Sequence, residues 1–181
     1  MTPEFSRLQR LDQIGAGESK LGVEADAGER AALAKRFDLA AIDRLEANYA
    51  LRREAAGIRA TGHLSAEVTQ SCVVTGDPVP ARVEEDFDLR FVPEPGEGQD
   101  EVELSEDECD IVFYTGGAID LGEAAAETLA LALDPFPRSP AATEALKRAG
   151  VLSEEDAEAG EEKPNPFGAL AGLRDKLGGS S

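Results

Sequence analysis

The feature that most constrains the fold of this chain is a two-residue hydrophobic period in three segments between residues 45 and 91. Such alternation is typical of β-strands whose two faces meet different surroundings. A turn signal, TGDP at residues 75–78, separates the last two segments. The pattern predicts a meander of antiparallel strands with one face in water. The positions that share the apolar face are Leu45, Ala47, Tyr49 and Leu51, then Ile58, Ala60, Gly62, Leu64, Ala66 and Val68, then Val83, Phe87, Leu89 and Phe91.

Two helix starts are marked by capping-box spacing. Asp26 is followed three residues later by Glu29, and Asp120 by Glu123. In a capping box each side chain accepts a hydrogen bond from the other residue's backbone N–H. The second helix, expected over residues 120–133, is almost all Ala and Leu and should be largely buried.

These elements predict an α+β fold. We expect a curled antiparallel β-sheet of five or six strands with two or three packed helices, plus an acidic loop and a C-terminal helical tail. Shorter extended segments are expected at residues 5–13 and 19–25, and a short last strand is expected around Cys109, Ile111 and Phe113.

The domain organisation follows from composition. Residues 1–137 should form a single α+β domain with a mobile acidic loop at 93–108, rich in Pro, Gly and acidic residues. Residues 138–165 should be an acidic flexible connector. A C-terminal helix is expected at 166–177, because Asn165 suits an N-cap and Pro166 suits the first helical position.

That C-terminal helix has an apolar stripe formed by Phe167, Leu170 and Leu173. A helix of three turns is marginal alone in water, so the stripe should be buried against something. Docking on its own domain and binding to a partner both remain open at this point.

The charge of the chain is concentrated in two places. The net charge is −19, of which residues 84–110 carry −12 and residues 153–163 carry −5. A field of this sign repels phosphate backbones and attracts basic partners. We therefore expect Glu101, Glu103 and Asp107 to contribute to partner binding, although acidic loops also serve solubility alone.

Catalytic and metal sites find little support in the sequence. The only histidine, His63, falls in the middle of an expected strand, where a surface or core role is the ordinary one. Cys72 and Cys109 lack the ligand spacing of a zinc site, and we expect reduced structural thiols with no metal or cofactor. We expect no enzyme; the alternative is a cryptic hydrolase that uses the carboxylates of Glu123 or Glu127.

A small basic patch offers another alternative. Arg52, Arg53 and Arg59 lie near one another across an expected hairpin and could contact RNA directly, although surface ion pairs are the commoner role. No run approaches the roughly 18 apolar residues of a membrane span, and the N-terminus has no signal-peptide core. We therefore expect a cytoplasmic protein without membrane contact.

Three stretches together resemble one family. CVVTGDPV resembles its C-x-x-C-G/L-x-P turn, IDLGEAAAETLALALDPFP its I-D-L…E…L-A-L-x-P segment, and KPNPFGALAGLRDKL its K-P-N-P-F…L…L ending. They occur in the family's order over roughly residues 40–177. The family is YceD, the large ribosomal RNA subunit accumulation protein, also called domain of unknown function 177. Thr75 stands where the family has the second cysteine of the turn.

The resemblance implies a non-enzymatic ribosome-biogenesis factor that supports accumulation of large-subunit ribosomal RNA. The charge distribution suits a basic protein ligand better than naked RNA. We therefore expect a basic large-subunit ribosomal protein or a pre-ribosomal particle as partner, with weak or indirect RNA contact.

Overall fold

The computed structural model describes residues 3–94 and 110–151, and the chain divides into two units, residues 1–139 and 140–181. The described part of the first unit is α+β. Its α-helices are α1 (Ala27–Arg36) and α2 (Leu121–Ala132), and a short 3-10 helix spans Leu11–Gln13. Its strands are β1 (Leu8–Arg10), β2 (Ser19–Glu24), β3 (Ala41–Glu54), β4 (Gly57–Ser71), β5 (Pro78–Pro93), β6 (Asp110–Tyr114) and β7 (Ala118–Asp120).

The strands form two sheets. An open five-stranded sheet has the order β2-β3-β4-β5-β6, and β1 pairs with β7 in a separate two-stranded sheet. The pairings from β2 to β5 are antiparallel, but β5 and β6 are parallel. The expectation of an antiparallel sheet is therefore wrong at β6. The connection at 94–109 is long enough for the crossover that parallel strands need.

The expected two-residue period is confirmed in β3, β4 and β5. We call the face of the large sheet that carries Leu45, Leu64 and Leu89 the inner face, and the opposite side the outer face. Cross-strand register aligns these faces, with Leu45 opposite Ala66 and Ala60 opposite Leu89. All five of these side chains are buried. The inner face therefore forms one side of the hydrophobic core.

The two α-helices of this unit pack against the sheet. α1 lies on β3, and α2 contacts β4 and β5. The expected capping box at the start of α1 is complete, with Asp26 and Glu29 each accepting from the other's backbone N–H. α2 is largely buried as expected, and its Leu129 is 0% exposed.

A short N-terminal segment is fastened across the start of α2. β1 pairs antiparallel with β7, with Gln9 opposite Ile119. Phe5 just before it is fully buried. A Cβ at Gly122 would lie 2.7 Å from the Phe5 carbonyl oxygen, so the close crossing of these two segments needs a glycine.

The described part of the second unit contains one helix, α3 (Ala142–Arg148). It carries an ion pair between Glu144 and Arg148. It falls within the segment expected to be a flexible connector. The expected C-terminal helix at 166–177 lies outside the described residues, as do residues 95–108 of the acidic loop expected at 93–108; Pro93 is the last residue of β5. None of the helices described is both long and apolar enough to cross a membrane.

Candidate partner-binding site

A groove of about 710 Å³ lies between α2 and the β5–β6 side of the large sheet. Apolar side chains from three elements line it: Phe87 and Leu89 of β5, Val112 of β6 and Leu131 of α2. Leu131 is 83% exposed, which is unusual for a leucine on a helix that is otherwise largely buried. The groove therefore offers apolar surface that a second molecule could cover.

Local sequence explains why the groove exists. Along β5, Phe87 and Leu89 follow the two-residue period and point to the inner face. Along α2, Ala124, Thr128 and Leu131 have helical spacing and share the side that faces the groove. Because Ala124 and Thr128 are small, this side of the helix leaves the space open.

Five carboxylates are among the described residues that line the groove; Asp86 and Asp88 belong to the outer face of β5, and the other three belong to its inner face, β6 and α2. Glu85 precedes Phe87 on the same face of β5, Asp110 lies opposite Leu89 in the register, and Glu127 projects from α2. Among the described residues that line the groove there is no lysine or arginine, and Glu85, Asp110 and Glu127 form no ion pair with another described residue. A concave site with one sign of charge concentrates the field and favours a cationic ligand.

The pKa of Glu127 is raised above its ordinary value. Burial beside the groove raises the pKa of Glu127, the negative charge of Glu123 one turn earlier raises it further, and Arg36 opposes both. A cation bound in the groove would stabilise the ionised form of Glu127.

The next carboxylates along β5 face the other way. Asp86 and Asp88 lie on the outer face, where Asp86 contacts His63 Nδ1 at 2.7 Å and Asp88 pairs with Arg59. The Nε2 atom of His63 lies 2.8 Å from a Glu84 oxygen. Hydrogen bonds to Asp86 and Glu84 raise the pKa of His63, and hydrogen bonds from His63 and Arg82 lower the pKa of Glu84 to about 2. His63 thus bridges the carboxylates of Asp86 and Glu84 on the solvent-exposed outer face.

Replacing His63 by glutamine should reduce stability in a pH-dependent way. The raised pKa in the folded protein means that the imidazolium stabilises the fold below the ordinary pKa of 6.5, and that this contribution disappears as pH rises through the folded value. Urea unfolding of both proteins from pH 5 to 9 should show a difference that shrinks with rising pH. A difference in unfolding free energy that is constant across this range would contradict a stabilising interaction of charged His63 with Asp86 and Glu84.

Two of the three arginines considered for RNA contact are cross-strand neighbours, and the third has different contacts. Arg52 and Arg59 are opposite each other in the β3–β4 register, and Arg90 is opposite Arg59 on β5. Arg52 pairs with Glu54, and Arg59 pairs with Asp88. Arg53 instead donates to the backbone oxygens of Ile14 and Leu11. Ion pairing and backbone anchoring are thus the roles these side chains have in the structure.

The other residues expected to bind a partner lie outside the described residues. These are Glu101, Glu103 and Asp107 of the acidic loop and Phe167, Leu170 and Leu173 of the C-terminal stripe. Their part in binding stays a prediction.

The carboxylates considered for hydrolysis have separate surroundings. Glu123 forms an ion pair with Arg36 at 2.8 Å, and Arg36 also pairs with Glu4. Glu123 therefore does not complete a capping box, which corrects the expectation for α2. Glu127 faces the groove. Among the described residues, no group of three or more His, Cys, Asp or Glu side chains could hold a metal ion.

Comparison with known proteins decides the family. A family model described as "Large ribosomal RNA subunit accumulation protein YceD" matches residues 60–174, more than half of the 181-residue chain. The chain belongs to the YceD family. No curated protein and no solved structure gives a match. The described residues that line the groove lie within the part matched to YceD, whereas Arg52, Arg53 and Arg59 precede it.

In this YceD chain, Asp120 of the IDLGE segment forms hydrogen bonds to two separate parts of the structure. Asp120 caps α2 by accepting from the backbone N–H groups of Gly122 and Glu123. The same carboxylate accepts from the backbone N–H of Arg7 at 2.7 Å and from the Ser6 hydroxyl at 2.5 Å. One side chain therefore joins the helix start to the N-terminal segment.

Replacing Asp120 by alanine should cost roughly 2–4 kcal/mol of unfolding free energy, because a helix cap is lost and a partly buried backbone N–H loses its acceptor. Asp120→Asn should cost less, since one acceptor oxygen remains. Urea unfolding measures both, with Asp43→Asn, an exposed carboxylate of β3, as the control. Equal losses for all three variants would rule out the joining role.

The CVVTGDPV turn of the YceD chain is closed by hydrogen bonds. Cys72 donates its backbone N–H to the Asp77 carbonyl, and the hydroxyls of Thr75 and Ser139 both donate to the Asp77 carboxylate. Burial opposes ionisation of the Cys72 thiol, but hydrogen bonds from Ser139 and Thr75 outweigh it and lower the pKa of Cys72 to about 6. Thr75 therefore helps to hold the turn closed.

Sequence reasoning did not find the groove of this YceD chain. Its apolar residues look like ordinary core positions of a strand and a helix, and its carboxylates come from three separate elements. One signal was present: Leu131 follows Glu127 by one turn, on the side of α2 that carries the polar stripe. An apolar residue on that side predicts exposure.

Proposed function

We propose that this protein supports accumulation of large-subunit ribosomal RNA by binding a basic large-subunit ribosomal protein, alone or within a pre-ribosomal particle, through the groove. The role in accumulation of large-subunit ribosomal RNA follows from membership in the YceD family. The observation that supports this specific mode of binding is a groove that combines apolar lining with Glu85, Asp110 and Glu127 and has no lysine or arginine among its described lining residues. Basic ribosomal proteins present apolar and cationic side chains together, which is the complementary chemistry.

The acidic segments should assist this binding. Residues 84–110 include Glu101, Glu103 and Asp107 and carry a net charge of −12. Charge of this size accelerates association with a cationic protein, while close contacts set the dissociation rate. The stripe of Phe167, Leu170 and Leu173 would add a tethered apolar contact to the same partner.

In this proposal the protein is a cytoplasmic binding factor rather than an enzyme, and its RNA contact is weak or indirect. Arg52 and Arg59 have carboxylate partners, which reduces their attraction for phosphate. Glu123 is held by Arg36, so it does not form a catalytic pair with Glu127. Both observations favour protein binding over RNA binding or hydrolysis.

Complementation tests the proposal in cells that lack the native protein. The wild-type chain should restore the ratio of large-subunit to small-subunit ribosomal RNA, and a triple variant with Glu85→Gln, Asp110→Asn and Glu127→Gln should not. A matched control removes the same three charges elsewhere with Glu24→Gln, Asp43→Asn and Glu67→Gln, which are exposed and outside the groove.

Capture of the tagged full-length chain gives the second readout. A basic large-subunit protein should remain bound after nuclease treatment and be lost from the groove variant. Full restoration of the RNA ratio by the groove variant would contradict the proposed site, and loss of every bound protein after nuclease treatment would favour direct RNA binding.

A further inference from the structure

The inner face of the large sheet is incompletely covered within the described part of the chain. α1 lies on β3, and α2 contacts β4 and β5. A helix is about 10 Å wide and strands are about 4.8 Å apart, so each helix covers roughly two strands. The groove occupies the next position along the sheet, above β5 and β6 beside α2.

The dimensions of this position match a helix. The lining of β5 runs from Glu85 to Leu89, which at strand geometry is about 13 Å. The lining of α2 runs from Ala124 to Ala132, about 12 Å at helix geometry. This length corresponds to a little over two helical turns. An element that rests on a sheet face beside another helix completes a two-layer architecture.

The pattern of side chains also suits a helix of one kind. Phe87, Leu89 and Leu131 provide apolar contacts for a single apolar stripe. Glu127 lies on the α2 side of the groove and Asp110 on the β6 side, so carboxylates flank that stripe on both sides. A helix with Lys or Arg on both sides of its apolar stripe would place a cation near each of them.

We infer that the groove is the seat of a cationic amphipathic α-helix contributed by the partner protein, which packs beside α2 as the next helix on the sheet. This inference rests on the proposed function and names the form of its partner. Charge complementarity selects the occupant: a neutral or acidic helix would leave Glu85, Asp110 and Glu127 desolvated without a counter-charge.

Two synthetic peptides test the helix with the full-length chain. In one 18-residue peptide, leucines repeat at alternating three- and four-residue spacings and lysines fill both flanks. In the other, the same residues are arranged so that no stripe forms. Fluorescence anisotropy should show that the striped peptide binds at least tenfold more tightly, and circular dichroism should show that it gains helix on binding.

Variants of the chain locate the contact. Leu131→Ala should weaken binding of the striped peptide about tenfold or more, because a leucine contact is lost. Glu127→Gln should weaken it several-fold at low salt and less at high salt. Leu8→Ala is the matched control, since Leu8 is 71% exposed on β1 and does not line the groove. An unchanged affinity of Leu131→Ala would overturn the inference.

The remaining outcomes distinguish failure of the partner helix from failure of the proposed function. If a basic ribosomal protein is captured but both peptides bind equally, the helix is wrong and the proposed function stands. If neither peptide nor any basic protein is retained, both fail. The triple variant Phe167→Ala, Leu170→Ala and Leu173→Ala tests whether the chain's own C-terminal segment, rather than a partner, occupies the groove. A tenfold gain in peptide affinity would show that the chain's own C-terminal segment fills the groove, which would overturn the partner assignment, whereas unchanged affinity supports it.

Discussion

Replacing Leu129 by alanine should lower the free energy of unfolding by roughly 2–5 kcal/mol, the range found when a fully buried leucine is truncated. Leu129 is 0% exposed and belongs to the core cluster beneath α2. The change removes apolar contacts and leaves a cavity that the surrounding strands can fill only in part. Urea unfolding followed by circular dichroism measures the loss.

The same helix supplies a control for this experiment. Leu131→Ala removes an identical set of atoms from a side chain that is 83% exposed, so the unfolding free energy should change by less than about 0.5 kcal/mol. If the two variants lose similar stability, Leu131 is buried in solution. The expected pair of results would also qualify Leu131→Ala as a folded variant for the peptide measurements.

Replacing Gly62 by alanine should destabilise the protein by roughly 3 kcal/mol or more, because the added methyl group has no room. A Cβ at this position would lie 2.0 Å from the Asn48 carbonyl oxygen and 2.5 Å from the Phe87 ring. Gly62 is opposite Tyr49 on one side and Phe87 on the other, and those two rings meet with their centroids 4.9 Å apart. The glycine therefore lets an aromatic pair close over the middle strand.

Gly17→Ala is the matched control, since a Cβ there meets nothing within 4 Å. It should be neutral within about 0.5 kcal/mol. A stable Gly62→Ala protein would require that Tyr49 and Phe87 can separate without loss, and the near-ultraviolet circular dichroism of the variant would then differ from that of the wild type.

The strands with strong alternation could be predicted from the sequence for a simple physical reason. Leu45, Tyr49, Leu64 and Phe91 each have at least one polar neighbour in the sequence, so only one register and one face bury them all. The capping box at Asp26 was equally local, since both partners lie within one helical turn. Local information was sufficient wherever the deciding contact was also local.

The direction of β6 and the role of Glu123 could not be predicted in this way. Five residues with a two-residue period look the same whether the neighbouring strand is parallel or antiparallel. Glu123 has capping-box spacing, but Arg36, 87 positions away, offers its carboxylate a charged partner instead. Such choices depend on which segments meet in the folded chain.

The groove was beyond prediction for the same reason. Asp110 becomes a groove residue only because β6 aligns it with Leu89, and Glu127 only because α2 leaves the β5–β6 side open. The sign of the groove's charge could be predicted, because the strongly acidic composition of residues 84–110 is visible in the sequence. The shape of the groove depends on contacts between residues that are far apart in the sequence.

The fastening of the N-terminal segment by Asp120 has a consequence during synthesis. Ser6 and Asp120 are separated by 114 positions. At about 5–20 residues per second, a translating ribosome needs roughly 6–23 seconds to add them. Until then β1 has no strand to pair with, α2 does not yet exist, and Phe5 has no core to enter. A nascent chain released before residue 120 would therefore expose the apolar inner face of its sheet, and it would be a substrate for chaperones or proteases rather than a shorter working form of the protein.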